Sequence, residues 1–139
     1  VGTPKEINQS IIEQIVKEKK VPVIAPLGLD KNNQVYNINA DTAAGAIAKK
    51  LNARRLIIMS DVEGVLDNDK KLISEINTNR INELIKDETI SGGMIPKINN
   101  CLDVASNGVK GVCIIDGRLN HSILVELHSD KGSGTVIRL

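Results

Sequence analysis

Leu56-Ile57-Ile58-Met59-Ser60-Asp61-Val62-Glu63-Gly64-Val65-Leu66 decides the fold. Four apolar residues in a row, too few for a helix and flanked by polar residues, predict a buried strand. The polar, glycine-bearing loop from Ser60 to Asp69 follows it directly. A buried strand that empties into such a loop is the signature of an open α/β sheet, in which ligand contacts collect where strands end. Two other segments place polar groups at the same kind of junction: Asn37-Ile38-Asn39-Ala40-Asp41-Thr42-Ala43-Ala44 and Ser91-Gly92-Gly93-Met94-Ile95-Pro96-Lys97.

Working outward, elements of the two periods alternate. Ile7, Ile11, Ile12 and Ile15 recur at helical spacing through Asn8 to Lys19, and Val21 to Leu27 predicts a buried strand behind them. Asp30-Lys31-Asn32-Asn33 has turn chemistry, returning through Val35 to Ile38 as a small hairpin. Ala40, Ala43, Ala44, Ile47, Ala48 and Leu51 form one face of a helix. A polar, superficial helix is expected from about Asn79 to Lys86. A long helix opens after Ser91-Gly92-Gly93, its apolar face running from Ile95 and Ile98 through Leu102 and Ala105 to Val109, with Gly108 as terminator. Gly111 to Ile115 predicts a strand, His121 to Leu127 a helix and Thr135 to Ile137 a last strand. The expected class is α/β, a mostly parallel sheet with helices on both faces.

Composition narrows the function. The chain has 139 residues, 41% of them apolar, with Tyr36 as the sole aromatic, so Ile, Val, Leu and Ala must build the core. A net charge of +1 without a basic patch excludes nucleic acid and anionic membrane surfaces as partners. No apolar run reaches the roughly 18 residues of a membrane span, and no signal peptide is visible. Cys101 and Cys113 lie in apolar patterns without zinc spacing and read as core thiols of a reducing, cytoplasmic compartment. His121 and His128 have no partner cluster, so no metal site is expected.

Asp41 falls in the first turn of its helix, where the dipole favours a carboxylate, and Asn39 can cap that helix. A plain acidic first turn has the same sequence, so the residues alone leave both readings open. Lys97 lies near the start of the next long helix, where a cation opposes the dipole and the free N–H groups favour an anion. That makes it a better functional candidate than a lysine at a helix end, although an exposed lysine remains an alternative. There is no Gly-x-x-x-x-Gly-Lys-Ser/Thr run. Asp130-Lys131-Gly132-Ser133-Gly134-Thr135 lacks the third glycine of a dinucleotide fingerprint.

The three segments, in this order, resemble the C-terminal half of acetylglutamate kinases, in the amino-acid kinase family. Members of that family have chains about twice as long, so residues 1–139 are expected to form a single domain, the nucleotide-binding lobe of a larger kinase. The resemblance implies ATP with Mg2+ as phosphoryl donor, N-acetyl-L-glutamate as acceptor and a role in arginine biosynthesis. By position, Asp41 and Lys97 would be catalytic, Asp41 ordering the lysines and Lys97 stabilising the transferring γ-phosphoryl. Asn37 and Asn39 would hold substrate. Ser60, Asp61, Val62, Glu63, Gly64, Val65 and Leu66 would wrap the nucleotide, with Thr89, Ile90 and Ser91 on its other side. The tail from His121 to Thr135 is similar to that of arginine-inhibited members, which makes Glu126 and Gly132 allosteric candidates for arginine. Cys113 stands where those enzymes often carry a histidine. The full-length family member is expected to be a homo-oligomer. Carbamate or glutamate kinase, or a non-catalytic arginine-sensing or dimerising module, are the alternatives.

Overall fold

Asn39 begins the helix that matters most for the site. Its backbone is extended and its side-chain Oδ1 accepts the N–H of Thr42 at 3.2 Å, which starts helix α2 at Ala40–Lys50. The computed structural model describes residues 1–139. Ahead of α2 lie helix α1 (Gln9–Lys17) and the antiparallel hairpin β1 (Leu27–Leu29) and β2 (Val35–Asn37). The hairpin turns where Asp30 Oδ1 accepts the N–H groups of Asn32 and Gln34. After α2 come β3 (Arg55–Ser60), β4 (Glu75–Asn77), α3 (Thr78–Lys86), α4 (Met94–Ser106), β5 (Gly111–Asp116), α5 (Ser122–His128) and β6 (Gly134–Arg138).

The main sheet has four strands in the order β3-β5-β6-β4, which leaves β3 and β4 as edges. β3 runs parallel to β5 with Leu56 opposite Val112 and Ser60 opposite Asp116, and β4 runs parallel to β6. The central pair, β5 and β6, is antiparallel. Two of the three pairings are parallel, as expected, but the last strand runs against the direction a βαβ repeat implies. β6 starts with Gly134 opposite Ile115, at the end where β5 finishes. The seven-residue α5 spans only about 10 Å, and the loop after it brings the chain back to that same end.

Because strand side chains alternate between faces, Leu56, Ile58, Val112, Ile114 and Ile137 all point to one side of the sheet. There they meet Ala48 of α2, Ile81 and Leu84 of α3, and Ile98, Cys101, Val104 and Ala105 of α4 in a single buried cluster. The other face carries α5 alone, packed against β5 with Ser122 and Glu126 buried beneath it. Helices therefore cover both faces, unequally.

Two expectations fail. Val21 to Leu27 is not a buried strand: β1 starts only at Leu27, and Val21 and Val23 are 86% and 96% exposed. Pro22 and Pro26 have no N–H to give to a ladder, which breaks any pairing along that run. The helix at Asn79 is not superficial either, since Ile81 and Leu84 of α3 are fully buried. Three apolar positions, Ile81, Leu84 and Ile85, fall on one stripe and suffice to seat it. Strand β4 was not anticipated. α1 buries no residue, and its isoleucines line an open apolar cavity of about 1030 Å3 with Tyr36, Ile38 and Ile47.

Candidate active site

α2 leads into β3 and α4 leads into β5, so both helices start at the end of the sheet where those strands finish. The first turns of α2 and α4, Ser60 and Asp116 are thereby gathered along one edge. α2 and α4 lie side by side because Gly45 has no side chain: a Cβ there would stand 2.8 Å from Val104 Cγ2 and 2.9 Å from Asn100 Oδ1. One turn before Gly45, Lys97 Nζ donates to Asp41 Oδ2 at 2.5 Å, and Asn100 Nδ2 donates to the Asp41 carbonyl at 2.9 Å. One turn after it, Lys49 pairs with Asp103.

The Asp41–Lys97 pair is half-sheltered, with 26% and 19% of the two side chains exposed. Asp41 lies in the favourable N-terminal field of α2, whereas Lys97 stands against that of α4. The carboxylate supplies the anion that the lysine's position requires. Cys101, one turn beyond Lys97, is pushed up to about 12 by burial first and the Asp41 charge second, with Lys97 opposing. It stays a neutral thiol. Asn37 is exposed at the end of β2, and the amide oxygen of Asn39 is engaged in its cap.

The loop after β3 keeps Asp61 and Glu63 exposed while burying Gly64 and Val65. Gly64 has φ +145°, a conformation open to glycine. Thr89 Oγ1 donates to Asn68 Oδ1 at 2.5 Å, joining the second candidate nucleotide segment to the loop's far end. Ile90 belongs to the core, 2% exposed with its N–H donated to the Leu84 carbonyl at 2.8 Å, so of this segment Ser91 is the exposed residue.

Several residues at this edge carry no signal in the sequence. Asn100 is one, recognisable only afterwards as lying three positions beyond Lys97 on the same helix face. Asp116 and Arg118 are others. Arg118 donates Nε to Asp116 Oδ1 at 2.9 Å and Nη2 to Oδ2 at 2.7 Å, and its backbone N–H also reaches Oδ1. These bonds hold the Asp116 carboxyl down at about 2. The Arg118 guanidinium is held above its ordinary range, by Asp116 first and also by the nearby charges of Asp61 and Glu63.

The structure brings Glu126 and Gly132 together, away from the Asp41–Lys97 edge. Glu126 Oε2 accepts the N–H of Ser133 at 2.8 Å, and Gly132, at φ +67°, approaches so closely that a Cβ would lie 2.7 Å from the same oxygen. Cys113 adjoins this carboxylate and is pushed up to about 12, by burial first and then by Glu126. Cys113 and Glu126, but not Gly132, line a cavity of about 310 Å3 with Arg54, Arg55, Lys110 and Arg138, toward the starting ends of β3 and β5. No group of three or more His, Cys, Asp or Glu side chains has the arrangement to hold a metal ion.

Residues 1–116 match the model of the amino acid kinase family. The chain belongs to the amino acid kinase family. Among its curated relatives, the acetylglutamate kinase of Pelagibacter ubique (strain HTCC1062) is 71% identical over 99% of this chain and 48% of that protein. That of Campylobacter fetus subsp. fetus (strain 82-40) is 49% identical over 99% of this chain and 49% of that protein. The chain thus spans about half the length of the curated relatives it matches. Among solved structures, smu.665 from Streptococcus mutans UA159 superposes with a TM-score of 0.79 at 34% identity, covering 96% of this chain and 49% of that one. N-acetylglutamate synthase from Neisseria gonorrhoeae, complexed with coenzyme A and L-arginine, reaches 0.89 at 22% identity over 96% of this chain and 31% of that one, a likeness of fold alone.

Proposed function

We propose that this member of the amino acid kinase family is the nucleotide-binding lobe of an ATP-dependent acetylglutamate kinase. The reaction passes the γ-phosphoryl of MgATP to the side-chain carboxylate of N-acetyl-L-glutamate, a step of arginine biosynthesis. The observation that carries the reading is the Asp41–Lys97 contact at the sheet edge, in a chain 71% identical to an acetylglutamate kinase. A catalytic ion pair kept in contact argues against a module that only senses arginine or dimerises.

Phosphoryl transfer asks little covalent chemistry of a protein and much positioning and charge stabilisation. Lys97 supplies the positive charge at the transferring group, and Asp41 aims it. Asn100 fixes Asp41 in turn by holding its carbonyl. Asn37, exposed at the end of β2, contacts the acyl amino acid, while Asn39 contributes by capping α2 and so setting where Asp41 lies. The nucleotide lies between the Ser60–Leu66 loop and Thr89–Ser91, with its Mg2+ arriving as part of MgATP. A separate site for arginine is formed by Glu126 and Gly132. The basic residues of that cavity suit the amino acid's carboxylate, and Glu126 suits its guanidinium. The full-length kinase acts as a homo-oligomer.

A coupled kinase assay on the full-length kinase carrying this lobe, with acetylglutamate, glutamate and carbamate compared, tests the assignment. Turnover with acetylglutamate at least an order of magnitude above the other two is expected. Preference for either of the others overturns the substrate reading.

A further inference from the structure

The Ser60–Leu66 loop is held at both ends by groups outside it. At its start, Gly117 donates its N–H to the Ser60 carbonyl at 2.8 Å. At its end, the N–H of Val65 is accepted at 2.8 Å by Thr135 Oγ1, a fully buried hydroxyl on β6 lying 70 positions away. Val65 is itself 2% exposed, and its carbonyl takes the N–H of Ile73 at 2.9 Å. Between the two anchors only Asp61, Val62, Glu63 and Gly64 are left to adjust. The fit at the Thr135 end is close: a Cβ on Gly64 would stand 2.5 Å from Thr135 Oγ1 and 3.1 Å from its N.

We infer that Thr135 is a positioning residue for the nucleotide, acting through the Val65 N–H to set how high the Ser60–Gly64 backbone crosses the sheet edge. The inference rests on the reading of this loop as the nucleotide loop. Thr135 is fully buried on β6, so the packing around it makes its oxygen a fixed acceptor rather than a mobile one. Without that acceptor the buried amide must stay unpaired or lift toward water. Lifting moves Gly64 and Glu63 with it. The Asp41–Lys97 pair, held by α2 and α4, does not depend on this bond, so the loss should fall on nucleotide affinity rather than on the chemical step.

Thr135→Val removes the acceptor while keeping the shape, and Thr135→Ser keeps the hydroxyl. In the 139-residue chain, the Val65 amide should be protected from hydrogen exchange in wild type and in Thr135→Ser, and exchange at least about tenfold faster in Thr135→Val. Calorimetry with MgADP should show about tenfold weaker binding for Thr135→Val and about wild-type binding for Thr135→Ser. In the full-length kinase, KM for ATP should rise by a similar factor, with kcat and KM for acetylglutamate little changed. A purely structural role would lower the melting temperature without this split between KM and kcat. MgADP affinity unchanged by Thr135→Val, with binding intact in wild type, overturns the inference and leaves the lobe assignment standing. A wild-type chain that binds no nucleotide overturns both. Should the valine variant not fold, the wild type still decides: a Val65 amide that exchanges like an open loop rules out the anchor.

Discussion

Lys97 and Asp41, 56 positions apart, meet at 2.5 Å because two parallel helices touch at Gly45. Lys97 stands against the dipole of α4, and Asp41 accepts the field of α2 and passes a negative charge across to it. A carboxylate that neutralises a misplaced lysine also keeps it aimed when a more highly charged anion arrives.

In the full-length kinase, Lys97→Ala should lower kcat by roughly two to three orders of magnitude, the range for a lost charge-stabilising donor. KM for acetylglutamate should change less, and Lys97→Arg should rescue little, because the planar guanidinium cannot replace a compact ammonium in the same geometry. Asp41→Asn should also reduce kcat. Steady-state kinetics check this; a kcat within a few-fold of wild type for Lys97→Ala would make the lysine a surface residue.

The isolated chain should bind MgADP or MgATP but not acetylglutamate tightly. Both candidate nucleotide segments are present and are joined by the Thr89–Asn68 bond, whereas Asn37 is exposed at the end of a short hairpin. Isothermal titration calorimetry decides, and nucleotide binding no tighter than to an unrelated domain would sink the reading.

Arginine should inhibit the full-length kinase, and Glu126→Ala should weaken that inhibition. The Glu126 carboxylate already accepts Ser133 N–H, with basic residues around the adjoining cavity. Arginine titrations of wild type and variant separate the outcomes. Inhibition unaffected by Glu126→Ala places the site elsewhere, and no inhibition at all removes the allosteric claim.

Asp116 adds stability that depends on acid. Arg118 holds its carboxyl at about 2, against an ordinary value of 3.8, so the folded state favours the ionised form. Its contribution is complete above about pH 4 and is lost as the pH falls toward 2. Asp116→Asn should flatten the part of the acid unfolding curve between those values. Thermal melts followed by circular dichroism would show it, and equal slopes for the two proteins would exclude the effect.

The buried thiols act at the other end of the scale. Cys101 and Cys113 are both pushed up to about 12 from an ordinary 9.0, so unfolding exposes groups that ionise more readily. The stability they supply is present below pH 9 and fades as the pH climbs toward 12. Iodoacetamide at pH 8 should label neither thiol in the folded chain and both in denaturant, as read by mass spectrometry. Rapid labelling of the native protein would refute their burial.

What was legible in the sequence was what local chemistry writes. Asn39 capping α2, the apolar face of α4 and the strand ending at Ser60 are each signalled within a few residues of themselves. Strand β4 was not, because Glu75-Ile76-Asn77 has a single buried residue and no period to detect. The run from Val21 misled because its apolar content outweighed its prolines. The direction of β6 depends on where the chain returns after α5, which no local pattern encodes. At the candidate site, Asp41 and Lys97 stand out by type and position, and the structure brings the two into contact. Asn100 and Thr135 do not, since the contact of each is with a partner 59 or 70 positions away.

β3 lies at the rim of the sheet, paired only with β5, so one side of Arg55–Ser60 presents unmatched N–H and C=O groups. Such a rim is a template on which another chain can lay a strand. Charge flanks it, at Arg54 and Arg55 before and at Asp61 after, and the Leu56–Met59 stretch between is apolar, with Met59 about half exposed. For the polypeptide kept by itself in solution, that rim is where self-association is expected, and sedimentation at rising concentration would detect it. Added salt, by screening the two arginines, will hasten it, so dilute, low-salt buffer is the condition in which to keep it monomeric.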